Sequence, residues 1–198
     1  MDEIVKLAYR LYDDALDAVC NNNISAAVTG LEKSIMIYDK DIAALNLLGL
    51  CYYRLCCFNL ARKHWIKSFT LDKLDNPAKE YLELLASPDA KKLMRAYSQG
   101  FEALSENNVR LGVSIFRTIA NQYPDLVEPY LILGLSFYHN RRYIKAYRNW
   151  RKALSLDRGN IKASQYLTSF LPVKLKRIGL YSLIAMSFVL LIIYFLMR

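Results

Sequence analysis

Apolar residues recur every three or four positions through most of this chain, and no alternation of period two persists. The pattern predicts helices. Its interruptions are short and polar: residues 21–25 (NNNIS) and 105–109 (SENNV) set asparagines between apolar-periodic runs. Asn76-Pro77 opens a short helix over 77–86, and Ser87-Pro88-Asp89 starts the one after it. The pattern changes character once. From Ile178 to Met197 no residue is charged, the run is apolar on every face, and Lys174, Lys176 and Arg177 stand just ahead of it. A helix of that length rises ~30 Å, the thickness of a bilayer's hydrocarbon core. Twelve of its twenty residues are Leu, Ile, Val or Phe. Their summed insertion free energy is on the order of −4 to −7 kcal/mol. Residues 178–197 are therefore expected to form a single transmembrane anchor, preceded by a basic juxtamembrane linker over 172–177.

The chain also matches itself. A displacement of 85 residues brings Leu48-Gly49-Leu50 onto Leu133-Gly134-Leu135, Ala61 onto Ala146 and Trp65 onto Trp150. The match runs on through Asp72 and Asp157 to Tyr81 and Tyr166, and upstream Asn22-Asn23 falls on Asn107-Asn108. Two copies of one module follow, residues 1–92 and 93–171. Trp65 and Trp150 are expected to occupy equivalent buried sites.

A shorter period lies inside each module. Residues 42–75 carry Leu45, Leu48, Gly49, Tyr52, Ala61, Trp65 and Ser68; residues 127–160 carry Tyr130, Leu133, Gly134, Phe137, Ala146, Trp150 and Ala153. These offsets resemble the 34-residue tetratricopeptide repeat (TPR), with its large residue, L-G, aromatic, A, aromatic and A in that order. A small residue at the eighth position lets the two helices of a hairpin approach closely, and bulky residues at the fourth, eleventh and twenty-fourth fill the space between repeats. Two weaker units, 8–41 and 93–126, keep Ala15 with Leu31 and Gly100 with Phe116 at the same register. The resemblance covers about residues 8–160. It implies an all-α solenoid of helical hairpins, with 77–86 as an extra helix and 161–171 as a cap. The extra helix either redirects the array or packs in line with it.

The same resemblance implies that the first helix of each repeat lines a concave, partner-binding surface. On that basis Tyr12, Asn46, Tyr53, Tyr97, Phe101, Leu131 and Tyr138 are candidate partner-binding residues. Family members that clamp an acidic C-terminal peptide use a basic, Asn-rich lining, which is nearly absent here beyond Asn46 and Arg54. An aromatic and aliphatic lining suits an apolar or amphipathic segment better.

Charge adds a second candidate surface. The overall charge of +9 is uneven: residues 1–92 have a net charge of −1, whereas 93–177 have +9. Arg141, Lys145, Arg148 and Lys152 recur at helical spacing and predict one cationic stripe, where the first module has Cys56, Leu60, Lys63 and Lys67. With Lys174, Lys176 and Arg177, that stripe could lie on an anionic membrane surface. Nucleic-acid binding through the same basic half lacks any supporting motif.

The remaining chemistry is sparse. His64 and His139 sit beside aromatics without a nucleophile or orienting acid at useful spacing, and no phosphate loop appears, so no enzymatic activity is expected. Cys20, Cys51, Cys56 and Cys57 lack a metal-type pairing and read as reduced, small apolar residues; no metal or cofactor is expected. The acidic start MDEIVK lacks a secretory core, and cations on the N-terminal side of the anchor place the domain in the cytoplasm. The expected protein is a membrane-anchored TPR adaptor holding a protein or peptide partner. A structural subunit that makes its contact through the anchor is the alternative. The repeat type resembles bacterial TPR proteins, which points to a bacterial inner membrane. The alternative is the mitochondrial outer membrane, where the tail-anchored TPR adaptor of fission has a similar architecture.

Overall fold

A Cβ on Gly49 would lie 2.1 Å from the indole nitrogen of Trp65, and one on Gly134 would lie 2.1 Å from that of Trp150. These two contacts set how closely the helices of the second and fourth hairpins pack. The computed structural model describes residues 3–170 and Met186. Among them the helices are α1 (Glu3–Cys20), α2 (Ile24–Ile37), α3 (Ile42–Arg54), α4 (Phe58–Leu71), α5 (Ala78–Ala86), α6 (Pro88–Ser105), α7 (Val109–Gln122), α8 (Glu128–His139), α9 (Tyr143–Leu156) and α10 (Ile161–Gln165). A π-helical turn, Tyr166–Phe170, follows. The hairpins α1–α2, α3–α4, α6–α7 and α8–α9 form a TPR-like all-helical array. No described helix is long and apolar enough to cross a membrane. The expected linker, with Lys174, Lys176 and Arg177, and the expected anchor over 178–197 lie, apart from Met186, outside the described residues.

The two tryptophans occupy matching sites. Trp65 Nε1 donates to the Asn46 carbonyl at 3.2 Å and Trp150 Nε1 to the Leu131 carbonyl at 3.3 Å. Tyr53 and Tyr81 flank Trp65, with ring centroids 6.3 and 5.2 Å away. Tyr138 and Tyr166 flank Trp150 at 5.7 and 4.9 Å. Each of these pairs is related by the same displacement that aligns the sequence. The hairpin turns repeat as well: Asn22, Cys56, Asn107 and Arg141 all adopt positive φ, between 54° and 61°. Asparagine tolerates that left-handed conformation, whereas cysteine and arginine are less suited to it.

Helix α5 explains a buried polar cluster that interrupts the apolar core. Asn76 accepts from the Ala78 N–H at 2.9 Å and from the Asn46 amide at 2.9 Å, while its own amide donates to the Ser68 carbonyl at 2.9 Å. One side chain thus starts α5 and ties it to the preceding hairpin. Asn46 serves this cap from inside the core.

The array returns on itself. The turns of the first two hairpins meet the second module: the Val127 N–H donates to the Arg54 carbonyl at 2.9 Å, and the Arg158 N–H donates to the Asn22 carbonyl at 2.7 Å. Asp157 is fully buried at this junction. It accepts the Ser25 N–H at 2.9 Å and the Ser25 hydroxyl at 2.5 Å, and so caps the first turn of α2 from the far end of the chain. A Cβ on Gly159 would lie 2.1 Å from Asn23 Oδ1, so a larger residue here would displace the side chain that caps α2.

Two outcomes follow from this packing. Gly49→Ala and Gly134→Ala should each destabilise the domain by about 1–3 kcal/mol through overpacking against an indole, and by similar amounts; urea unfolding of the two variants measures this. Asp157→Ala leaves the part-buried Ser25 N–H without its acceptor and should lower stability by about 1–3 kcal/mol. Small-angle scattering should show an expanded particle if that contact closes the array.

Candidate functional site

The candidate groove residues have diverse surroundings. Leu131 and Asn46 are buried, and Asn46 is committed to the α5 cap, so neither can meet a partner. That corrects the reading of both as groove residues: close hairpin packing and the extra helix take up their faces. Tyr138 packs against Trp150 and Tyr143. Tyr53 is half-buried against Phe58 and Trp65. Phe58 in turn meets Tyr97 at 5.9 Å, and Tyr97 meets Phe101 and Phe116 at 5.0 and 5.7 Å. Tyr53, Tyr97 and Phe101 are therefore joined by a chain of ring contacts across the junction of the modules. Of the seven candidates Phe101 is the exposed one, while Tyr12 is half-buried in the first hairpin.

Burial dominates the titration of this junction. It raises the phenol pKa of Tyr97 and the thiol pKa of Cys56, and it pushes the Cys51 thiol up to about 12. Both thiols are buried and free, as small apolar packing residues are expected to be. Cys20 and Cys57 differ from that reading, since both are exposed. His64 stacks on Tyr52 at 5.5 Å, and burial followed by the charge of Lys63 lowers its pKa. Among the described residues, no group of three His, Cys, Asp or Glu is placed to hold a metal ion.

The cations assemble differently from the expected stripe. Arg141 is no part of α9; it forms the left-handed turn before that helix. Lys145 Nζ stands 5.8 Å over the centre of the Phe137 ring and Lys152 Nζ 5.9 Å over that of Tyr130. Between α7 and the α8–α9 hairpin runs a cleft that sequence periodicity within one helix does not show. One part, of about 450 Å³, is lined by Arg110, Arg117 and Arg142 together with Val113 and Phe137. Arg117 and Phe137 also line an adjoining part of about 340 Å³, with Lys145 and Arg148. Neither α7 nor α9 contains an acidic residue. The ion pairs among the described residues, Lys6–Glu3 and Lys67–Asp39, involve none of these cations.

Arg110, Arg117 and Arg142 are the functional candidates that a one-helix pattern misses. The internal repeat carries a signal for them. Under the displacement of 85 residues, Glu32 corresponds to Arg117, Ser25 to Arg110, Cys57 to Arg142 and Leu60 to Lys145. In the first module Glu32 accepts a hydrogen bond from the Tyr52 hydroxyl, and Asp39 pairs with Lys67 at 2.9 Å. The second module has Phe137 in place of Tyr52 and Pro124 in place of Asp39, so both acids and the hydroxyl are gone.

Beside this cleft's half of the array, Glu128 opens α8, and burial raises its carboxyl pKa while Lys162 opposes the shift. A carboxyl whose folded pKa is raised favours the neutral form. Its contribution to stability is present at low pH and lost as pH rises through the folded pKa. Glu128→Gln should therefore raise the melting temperature at pH 7.5, with the gain shrinking as pH falls below the carboxylate range; melts across that range measure it.

No family model matches the chain, and no curated protein does. Among solved structures it is similar to the TPR domain of P58(IPK), with a TM-score of 0.50 and 15% identity over 84% of this chain and 48% of that one. The chain thus spans about half the length of that domain. It is also similar to MamA from Desulfovibrio magneticus RS-1, with a TM-score of 0.38 and 18% identity over 96% of this chain and 93% of that one. A third is YrrB, described as a TPR protein with an unusual peptide-binding site, with a TM-score of 0.37 and 15% identity over 83% and 97%. At such identities the likeness to P58(IPK) speaks for the fold alone.

Proposed function

We propose that this chain is a non-enzymatic TPR adaptor, held at the cytoplasmic face of a membrane by residues 178–197, that binds a protein partner. The observation that carries the reading is the fold. An array of helical hairpins presents long, rigid helix faces around a core filled by the hairpins' own side chains, which is the architecture of an interaction scaffold. Trp65, Trp150 and Phe116 are fully or almost fully buried and hold those faces in register. The anchor adds location. Twenty uncharged residues behind Lys174, Lys176 and Arg177 have the length and flanking charge of a single span whose basic side stays in the cytoplasm. A bacterial inner membrane is the compartment the repeat type favours.

The test is extraction. The full-length chain expressed in a bacterium should stay with the membrane pellet through alkaline carbonate and high-salt washes, because apolar burial is not screened by ions. A chain lacking 178–197 should move to the supernatant. Release of the full-length protein by carbonate would overturn the anchored reading.

A further inference from the structure

We infer that the cleft between α7 and the α8–α9 hairpin is a docking site for an acidic, partly apolar peptide segment of the partner protein. Five cations line it: Arg110, Arg117 and Arg142 in one part, Lys145 and Arg148 in the adjoining part. All are exposed, none has a carboxylate partner among the described residues, and the two long helices that flank the cleft hold no acid to neutralise them. A solvated helix face usually mixes both signs. Concentrating one sign in a concavity focuses the field there and raises the local concentration of an anionic partner.

The first module is the internal control. The same fold there keeps Glu32 on the Tyr52 hydroxyl and Asp39 on Lys67, so the repeat does not require the charge found in the second copy. At the cleft positions an acid, a serine, a cysteine and a leucine give way to Arg117, Arg110, Arg142 and Lys145, whereas the cations lost from the matching helices, Lys33 to Thr118 and Arg62 to Tyr147, lie outside its lining. The gain of positive charge is thus concentrated on the cleft.

The shape selects among anions. Half-buried Val113 puts apolar surface among the cations, so the occupant has both carboxylates and an apolar side chain. A flat bilayer surface reaches the rim of a cleft and leaves that apolar surface uncovered. Single-stranded nucleic acid needs open ring faces for stacking, whereas Phe137 is buried and lies beneath Lys145, and Lys152 lies over Tyr130. An extended or helical acidic peptide can meet both the cations and the apolar patch.

The proposal rests on the adaptor reading, and its test is independent of the anchor. The full-length chain is held in non-ionic detergent, and binding of fluorescent twelve-residue peptides is read by anisotropy. One peptide alternates Glu and Leu in short blocks; the other replaces every Glu by Gln. The acidic peptide should bind at least tenfold more tightly than the Gln peptide, and its affinity should fall on the order of tenfold between 50 and 200 mM salt. The double variant Arg117→Glu with Lys145→Leu installs the residues that the first module carries at the same register. It should lose at least tenfold in affinity for the acidic peptide with an unchanged circular dichroism melt, while Arg62→Glu in the first module should bind as the parent does. Equal affinity for the two peptides overturns the proposal, and that comparison needs no variant to fold. Tighter binding of an oligonucleotide, or of anionic over neutral nanodiscs with no peptide preference, overturns it too. Carbonate extraction with peptide binding intact would sink the membrane assignment alone; retention without peptide binding would sink this site alone.

Discussion

An indole ring can enter the seam between two helices only where the facing helix presents no Cβ, and in this protein that condition is met twice. Gly49 receives Trp65 and Gly134 receives Trp150. The third hairpin repeats the contact with a smaller ring, Phe116 against Gly100, where an added Cβ would lie 2.8 Å away. At the same register of the first hairpin stand Ala15 and Leu31, both buried. The facing residue is larger where the partner is smaller, so the volume of the seam is conserved while its contents vary. Helix spacing, the aromatic flanks of each tryptophan and the direction of the exposed faces all depend on this interlock.

The return of the array depends on a different kind of contact. Asp157 is a buried carboxylate that accepts a backbone N–H and a hydroxyl from Ser25, 132 positions away, and the Asn160 side-chain amide at 3.2 Å. A buried charge is tolerable only when donors surround it, and the first turn of a helix supplies them. Its counterpart in the first module, Asp72, has no such task and accepts the nearby Leu74 N–H. One position in a duplicated sequence has thus become local in one copy and long-range in the other. With the hairpin turns of one module docked on the other, the faces that an open repeat array would offer on its inner side are partly taken up by packing. Arg54 shows the consequence: its carbonyl receives Val127, and its guanidinium reaches the Leu156 carbonyl at 3.4 Å.

Binding capacity therefore moves to surfaces that the core does not use. The second helices of the second module carry their cations outward, and the first module carries Glu32, Ser25 and Leu60 where these helices have Arg117, Arg110 and Lys145. Duplication supplies a stable frame twice over, and a frame held by glycine, tryptophan and tyrosine leaves the outward positions free to diverge in charge without cost to packing.

The sequence alone determined the helices and the 34-residue and 85-residue periods, because these depend on spacing along one chain; that each tryptophan seats on the glycine of its own hairpin was decided by tertiary packing. Trp65 and Trp150 lie where the register puts them. The capping role of Asn76, the inward position of Asn46 and the burial of Leu131 were decided only by tertiary structure, since periodicity names a helix face and cannot say which neighbour covers it. The cationic cleft divides along the same line. Lys145, Arg148 and Lys152 share one helix and are legible as a stripe, while Arg110, Arg117 and Arg142 come from another helix and a turn. Only the packing of α7 against α8 and α9 sets these charges around one concavity, because distance through space and not distance along the chain governs what charges can bind together.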